Sequence, residues 1–388
     1  MDIEKLKGDA TADVDSRHSE LTSLSLRIHQ NPEQGFNEVN ASSWLCEYME
    51  SNGFSVERGI CQLPTAFRAS YGAGGPIVAL LAEYDALPGL GHGCGHNIIG
   101  TAAAGAAVAA RQAADQLGGR IVVIGTPAEE IHGGKAIMAE RGAFTDVDVA
   151  MIVHPGTADV ISIKALACIS LDVEFFGKAA HAASTPQEGI NALEAMILSF
   201  NGINSLRQHI TEQARIHGII TRGGEAPNVV PDHTAGVFLV RAPDESQLEE
   251  LKGKVLNCFQ AAALATGASL QCKWTDYYAP IITNQALADA FAANMRTLGR
   301  NPQDPADRAF GSSDVGNVSA LVPIIHPVIA IAPPDISLHS PEFTAAAAEE
   351  GGHRGLIDGA KAMAITAVDV LASPELMIKI REDFLAAR

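Results

Sequence analysis

The sequence predicts an α/β protein: a mainly parallel sheet with flanking helices, interrupted by a smaller inserted β-α-β-β-α-β (ferredoxin-like) domain. Three observations predict it. Short apolar runs at 77–82, 121–125 and 149–153 alternate with helical spacing, which implies crossovers between parallel strands. From about Ala167 to Tyr278 the order changes to strand, helix, strand, strand, helix, strand. The chain then returns to helix, strand and helix. The expected boundaries are therefore 1–166 with 282–388 for the first domain and 167–281 for the second.

The elements follow in order. From Ser16 to Gly53 the apolar spacing is helical at Leu21, Leu24, Leu26 and Ile28, then at Trp44, Leu45, Tyr48 and Met49. Asn31-Pro32-Glu33-Gln34-Gly35 breaks it. Strands are expected at 67–71 and 77–82, a helix at 98–116, a strand at 121–125, a helix near 135–141 and a strand at 149–153. In the inserted domain, strands 169–176, 217–221, 235–241 and 269–275 alternate with helices 190–209 and 245–265. Thr185-Pro186-Gln187-Glu188 carries the capping pattern of a helix start. An Ala-rich helical stretch, 343–371, closes the reading.

Composition narrows the function. The chain has 388 residues, 47% apolar and 19% charged, enough for two packed domains and unlike a disordered chain. A formal net charge of −18 argues against nucleic acid and anionic membrane surfaces as partners. No apolar signal segment is visible at residues 2–7, and Thr101 to Ala110 is too short to span a bilayer. The six cysteines are scattered without a CxxC pair, which fits a reducing cytoplasm.

The chemistry centres on Glu129-Glu130, just past the apolar run 121–125. Two adjacent carboxylates at the end of a buried strand need a strong cation nearby. Cys94-Gly95-His96 lies upstream, in a glycine-rich stretch that can curl around one ion. His154 and His339 follow further apolar runs. In open α/β sheets such positions converge at the carboxyl edge of the strands. Thiolate and imidazole mixed with carboxylate point to a late first-row divalent metal. Other cysteines (Cys46, Cys168, Cys258, Cys272) read as small core residues, and His18, His209 and His233 as surface or packing residues.

The motifs together resemble a known family. Asn31-Pro32-Glu33-x-Gly35-Phe36-x-Glu38, Tyr84-Asp85-Ala86-Leu87-Pro88, Cys94-Gly95-His96-Asn97, Pro127-Ala128-Glu129-Glu130, His154-Pro155, Gly177-Lys178-Ala179-Ala180-His181-Ala182 and His339-Ser340-Pro341-Glu342-Phe343 are similar to the M20 metallopeptidases, in their aminoacylase and amidohydrolase branch. Glu83-Tyr84-Asp85-Ala86-Leu87-Pro88-Gly89-Leu90-Gly91-His92 and Gly311-Ser312-Ser313-Asp314-Val315-Gly316 are more similar still to the subgroup that contains an aminobenzoyl-glutamate hydrolase subunit and the M20-domain-containing protein 2 dipeptidases.

The resemblance implies a zinc-peptidase-like catalytic domain carrying two divalent metals (Zn, Mn, Co or Ni), held by Cys94, His96, Glu130, His154 and His339. It implies Glu129 as general base and acid, and Asp85 as the orienter of a ligand. Many members carry His-x-Asp where this chain has Glu83-Tyr84-Asp85, so Cys94-Gly95-His96 must supply those ligands. The inserted domain becomes a lid and dimerisation domain. There His181 would polarise the scissile carbonyl in the neighbouring subunit's site, and Asn228, Arg241 and Gly311 would contact substrate. Loops 62–65 and 300–309 are the expected pocket walls. The expected activity is hydrolysis of an N-acyl amino acid or a dipeptide-like amide bearing a carboxylate, by a cytoplasmic homodimer. The alternatives are a dipeptidase acting on free-amine dipeptides, such as β-alanyl dipeptides, and a non-catalytic or hetero-partner-dependent subunit.

Overall fold

The computed structural model of the chain describes residues 2–305 and 311–388, so residues 306–309 of the expected 300–309 pocket wall lie outside them. The chain divides into two compact units. One is built from the segment ending at Lys164, the segment beginning at Ile281 and the segment from Asp314 onward; the other is Ala165–Pro280 with residues 311–313.

The first unit holds a six-stranded mixed sheet. Strands Ile77–Ala82, Gly119–Gly125, Val149–Met151 and Ile324–Ile325 run parallel, and Phe67–Ala73 and Ser55–Arg58 add an antiparallel edge. Every residue of Ile77–Ala82 is buried, as continuous apolar character requires of a central strand covered on both faces. The Ala-rich helix His96–Leu117 packs on this sheet and against helix Glu350–Ala372. Small side chains permit that closeness: a Cβ on Gly100 would meet the Glu83 carbonyl oxygen at 2.7 Å. Because the four parallel strands point the same way, the residues after each of them gather at one edge.

The second unit is a four-stranded antiparallel sheet of Ser269–Tyr278, Ala167–Phe176, His233–Ala242 and Arg215–Arg222, in that spatial order. Helices Ala192–Leu206 and Glu245–Thr266 bury Met196, Ile203, Leu248, Val255 and Phe259 in its apolar core.

Three details differ from the sequence reading. Pro186–Glu188 forms only a single 3-10 turn and Thr185 makes no capping bond; the helix begins at Ala192, where Asn191 accepts from the Leu193 and Glu194 N–H groups. The local capping pattern loses because Gly189 follows it in an extended conformation. The stretch 343–371 is two helices, Pro341–Ala346 and Glu350–Ala372. Helices Ile3–Ser16 and Pro374–Ala386 were not expected; both bury few side chains, so their apolar periodicity is faint.

Candidate metal centre

The loop before helix His96–Leu117 carries Cys94 and His96. Gly91 and Gly95 take φ of 82° and 77°, values open to glycine, and so let the chain curl. A Cβ on Gly95 would meet Pro155 Cγ at 2.5 Å, so this loop lies directly against the His154-Pro155 segment. Cys94 Sγ consequently sits 3.4 Å from His154 Nε2. His339 is tied to the same loop through its N–H, which donates to the Gly93 carbonyl at 3.0 Å. Its Nε2 is 3.4 Å from Cys94 Sγ.

Glu129 and Glu130 enter from a turn after strand Gly119–Gly125. Ala128 adopts a left-handed conformation (φ 59°, ψ 44°) and the next four residues form one helical turn. Glu130 Oε1 lies 3.8 Å from His96 Nε2 and 3.8 Å from His339 Nε2. Among the described residues four donor groups have their ligand atoms within 4.8 Å of one another: Cys94/His96/His154, Cys94/Glu130/His339, His96/Glu129/Glu130 and Glu83/Glu129/Asp314. Asp85 stands behind them. Its Oδ1 is 2.8 Å from His96 Nδ1, and its Oδ2 accepts the Glu130 N–H at 3.0 Å.

The electrostatics describe a site short of positive charge. Burial, with Glu83 and Asp314 nearby, pushes the Glu129 carboxyl well above the usual range, against the pull of Lys135. Burial also pushes the Cys94 thiol far up. It lowers His154 to about 4. Burial opposes charge on His96 too, but Asp85 and Glu83 outweigh it and raise that imidazole well above its ordinary value. His96 Nε2 and Glu130 Oε1 are buried without a hydrogen-bond partner. Buried orphan donors and acceptors are costly, and these two face other ligand-type atoms. A divalent cation fits this set: it would satisfy both orphans and favour the thiolate and carboxylate forms.

Two features beside the centre were not singled out in the sequence. Lys135, fully buried, places Nζ 2.6 Å from Glu83 Oε1 and 2.8 Å from Asp314 Oδ1. The pair of anions outweighs the burial that opposes the Lys135 charge, and Lys135 with His96 draws Glu83 down to about 2 in spite of burial. His326 is 2% exposed, has no partner on either ring nitrogen, and its ring centroid is 5.5 Å from that of His154. A signal for it existed: Ile324-Ile325-His326-Pro327 repeats the pattern of Ile152-Val153-His154-Pro155, an apolar pair followed by His-Pro.

The other candidates lie in the second unit. His181 is exposed, and its Nδ1 accepts from the Ala183 and Ser184 N–H groups at 3.2 and 3.3 Å. Its segment pairs with that of Asn228: the Ala182 N–H donates to the Asn228 carbonyl at 3.0 Å, and the Val230 N–H to Ala180 at 2.9 Å. Arg241 donates through Nη1 to Ser312 Oγ at 3.2 Å, beside Gly311, which takes φ 56°. His181 and Asn228 thus form one neighbourhood, Arg241 and Gly311 another.

Comparison with known proteins gives a consistent picture. The family model for peptidase family M20/M25/M40 matches residues 79–342. The human Xaa-Arg dipeptidase is 37% identical over 406 aligned residues, covering 99% of this chain and 93% of that protein. A p-aminobenzoyl-glutamate hydrolase subunit from Escherichia coli K12 is 36% identical, covering 76% of this chain and 66% of that one. Among solved structures, a dinuclear metal-binding peptidase of the M20 family from Bacillus subtilis superposes with a TM-score of 0.72 at 20% identity, covering 92% of this chain and 99% of its own. The last likeness speaks to the fold.

Proposed function

The chain belongs to peptidase family M20/M25/M40, a family of hydrolases, and on that premise we propose that it cleaves the amide bond of an N-acyl amino acid or a small dipeptide-like conjugate. The observation that carries this reading is the meeting of Cys94, His96, Glu130, His154 and His339 from four separate segments, with Glu129 next to one of them.

In this reading those five residues hold two divalent ions, with zinc, manganese, cobalt and nickel the fitting choices. Metal bound there supplies two things: it makes a water more acidic and it polarises the scissile carbonyl. Glu129 takes the proton from the attacking water and passes it to the leaving amine. Asp85 holds the His96 ring through Nδ1 and the Glu130 backbone through its N–H, so both ligands keep their aim. His181 stabilises the oxyanion in the neighbouring subunit's site. Arg241, with Asn228 and the Gly311 backbone, binds the carboxylate of the leaving amino acid, which a planar guanidinium suits. The proposed assembly is therefore a homodimer, and a reducing cytoplasm would protect the Cys94 thiolate. No helix among the described residues is long and apolar enough to cross a membrane.

The two named relatives share one chemical feature: each name describes an amide whose amine side is an amino acid, arginine in one and glutamate in the other. The 37% identity across nearly the whole chain favours a second reading, a dipeptidase acting on free-amine dipeptides. The E. coli relative is named as a subunit, so dependence on a hetero-partner is a third. The test is a mass-spectrometric panel on purified, metal-loaded protein, comparing N-acyl amino acids (p-aminobenzoyl-glutamate among them) with free dipeptides (Xaa-Arg and β-alanyl among them). Preferential cleavage of the acylated set supports the first reading. Cleavage of free dipeptides alone transfers the proposal to the second. No cleavage by fully metallated protein contradicts both for the isolated chain.

A further inference from the structure

The segment 128–135 is held in an unusual way: three buried carboxylates accept from its backbone. Glu38 Oε1 takes the Ala128 N–H at 2.8 Å, Asp85 Oδ2 takes the Glu130 N–H at 3.0 Å, and Asp314 Oδ2 takes the Lys135 N–H at 2.8 Å. All three acids are at most 1% exposed. Two of these grips flank Glu129, one on the residue before it and one on the residue after.

We propose that Glu38 is a positioning residue, which sets the direction of Glu129 and Glu130 by fixing the left-handed turn at Ala128. This rests on the roles given above to those two glutamates. Ala128 is not glycine, and its φ of 59° lies in a region that side chains other than glycine enter at a cost. Such a conformation persists where the surroundings over-determine it. Glu38 is one constraint. Its other oxygen, Oε2, accepts from Thr65 Oγ1 at 2.9 Å, and the Thr65 carbonyl is itself anchored by Tyr84 Oη at 2.6 Å and Ser42 Oγ at 2.7 Å. Gly35 is a second constraint. A Cβ there would lie 2.8 Å from Ala128 Cβ, so only glycine lets the 31–38 segment press against the turn. The Asn31–Glu38 motif, otherwise without a chemical role, thereby acts as the backing of the Glu129 turn.

The geometry separates Glu38→Gln from Glu38→Leu. Glutamine can still accept the Ala128 N–H with its oxygen and donate to Thr65 Oγ1 with its amide nitrogen. Leucine can do neither. Three quantities are measured on each variant: Zn²⁺ affinity by chelator competition, hydrogen–deuterium exchange of 126–135 in metal-free protein, and the global unfolding midpoint. Glu38→Leu is expected to bind Zn²⁺ about ten-fold more weakly or worse and to exchange faster at Ala128 and Glu130. Glu38→Gln is expected to stay close to wild type in both. If Glu38→Leu does not fold, Gly35→Ala serves instead: it should weaken Zn²⁺ and loosen the same amides, and Gly35→Ala with Ala128→Gly should recover most of the loss. The proposal is overturned if Glu38→Leu keeps wild-type affinity and protection, if Leu and Gln lose equally in step with the global midpoint, or if Ala128→Gly fails to relieve Gly35→Ala. None of these readouts uses a substrate, so failure of the proposed activity in the substrate panel is a separate result.

Discussion

The Glu129 turn and the His181 loop each present a side chain that we propose acts in catalysis, yet they are built on opposite principles. The Glu129 turn is gripped by buried acids at Ala128, Glu130 and Lys135, and it holds a strained backbone. The His181 loop is exposed and held by backbone pairing with 228–230 and by its own ring accepting two local N–H groups. The first arrangement keeps charged groups at fixed positions in a low-dielectric interior, where a metal needs rigid ligands. The second leaves an imidazole on a surface, suited to meeting something that arrives. Loosening the hold on the first turn should therefore appear in metal binding, whereas loss of the His181 imidazole should appear in turnover with the metal intact.

The largest effect expected is from metal removal. Chelation should abolish hydrolysis, and Zn²⁺ or Mn²⁺ should restore it, followed by the best amide in the substrate panel. Residual turnover in verified metal-free protein would break the contrast at its root. Cys94→Ser is expected to lower metal affinity by about 10- to 100-fold. Cys258→Ser, on a helix of the second unit, should leave metal content unchanged. Equal metal content in both would make Cys94 a packing residue.

His181→Ala should cost about 100-fold or more in kcat with full metal content, the size seen when one oxyanion donor is lost. Mixing His181→Ala chains with Glu129→Gln chains sharpens this further. If His181 serves the neighbouring subunit, exchanged heterodimers regain part of the activity; confirmed exchange without recovery excludes the role in trans. Arg241→Lys should act mainly on KM, because a point charge replaces a bidentate fork.

One effect concerns pH and is read in stability, not in turnover. Burial raises the Glu38 carboxyl from 4.5 to about 7. The folded protein therefore keeps a proton that the unfolded chain releases, and stability falls as pH rises through that window. In metal-free protein, Glu38→Gln should lack this component, so the stability difference between variant and wild type should grow in the variant's favour by up to about 3 kcal/mol between those two pH values. Denaturant unfolding at several pH values measures it; parallel curves would show that Glu38 does not titrate there.

The sequence made some of this visible for physical reasons that can be named. Continuous apolar runs such as 77–82 are buried on both faces, so their period-free pattern marks central strands. Glu129-Glu130, His154 and His339 stood out because they follow apolar runs, and Cys94 and His96 because a glycine-rich stretch carries thiol and imidazole two residues apart. Glu38 was visible as the end of the Asn31–Glu38 motif, but its grip was not legible, since it joins residues 90 positions apart. Lys135 reads as an ordinary first-turn lysine until Glu83 and Asp314 close on it. The helix read at 190–209 begins at Ala192, but its cap is Asn191 and not Thr185, because the local pattern Thr185-Pro186-Gln187-Glu188 does not report where the chain must turn.

The central claim is that Glu129 moves the proton while its neighbours hold the metal, and Glu129→Gln tests it most directly. Metal content by elemental analysis and turnover on the same preparation are the two quantities to compare. The account predicts metal content close to wild type with turnover reduced by about 1,000-fold or more. Retained turnover, or metal lost together with activity, would contradict it.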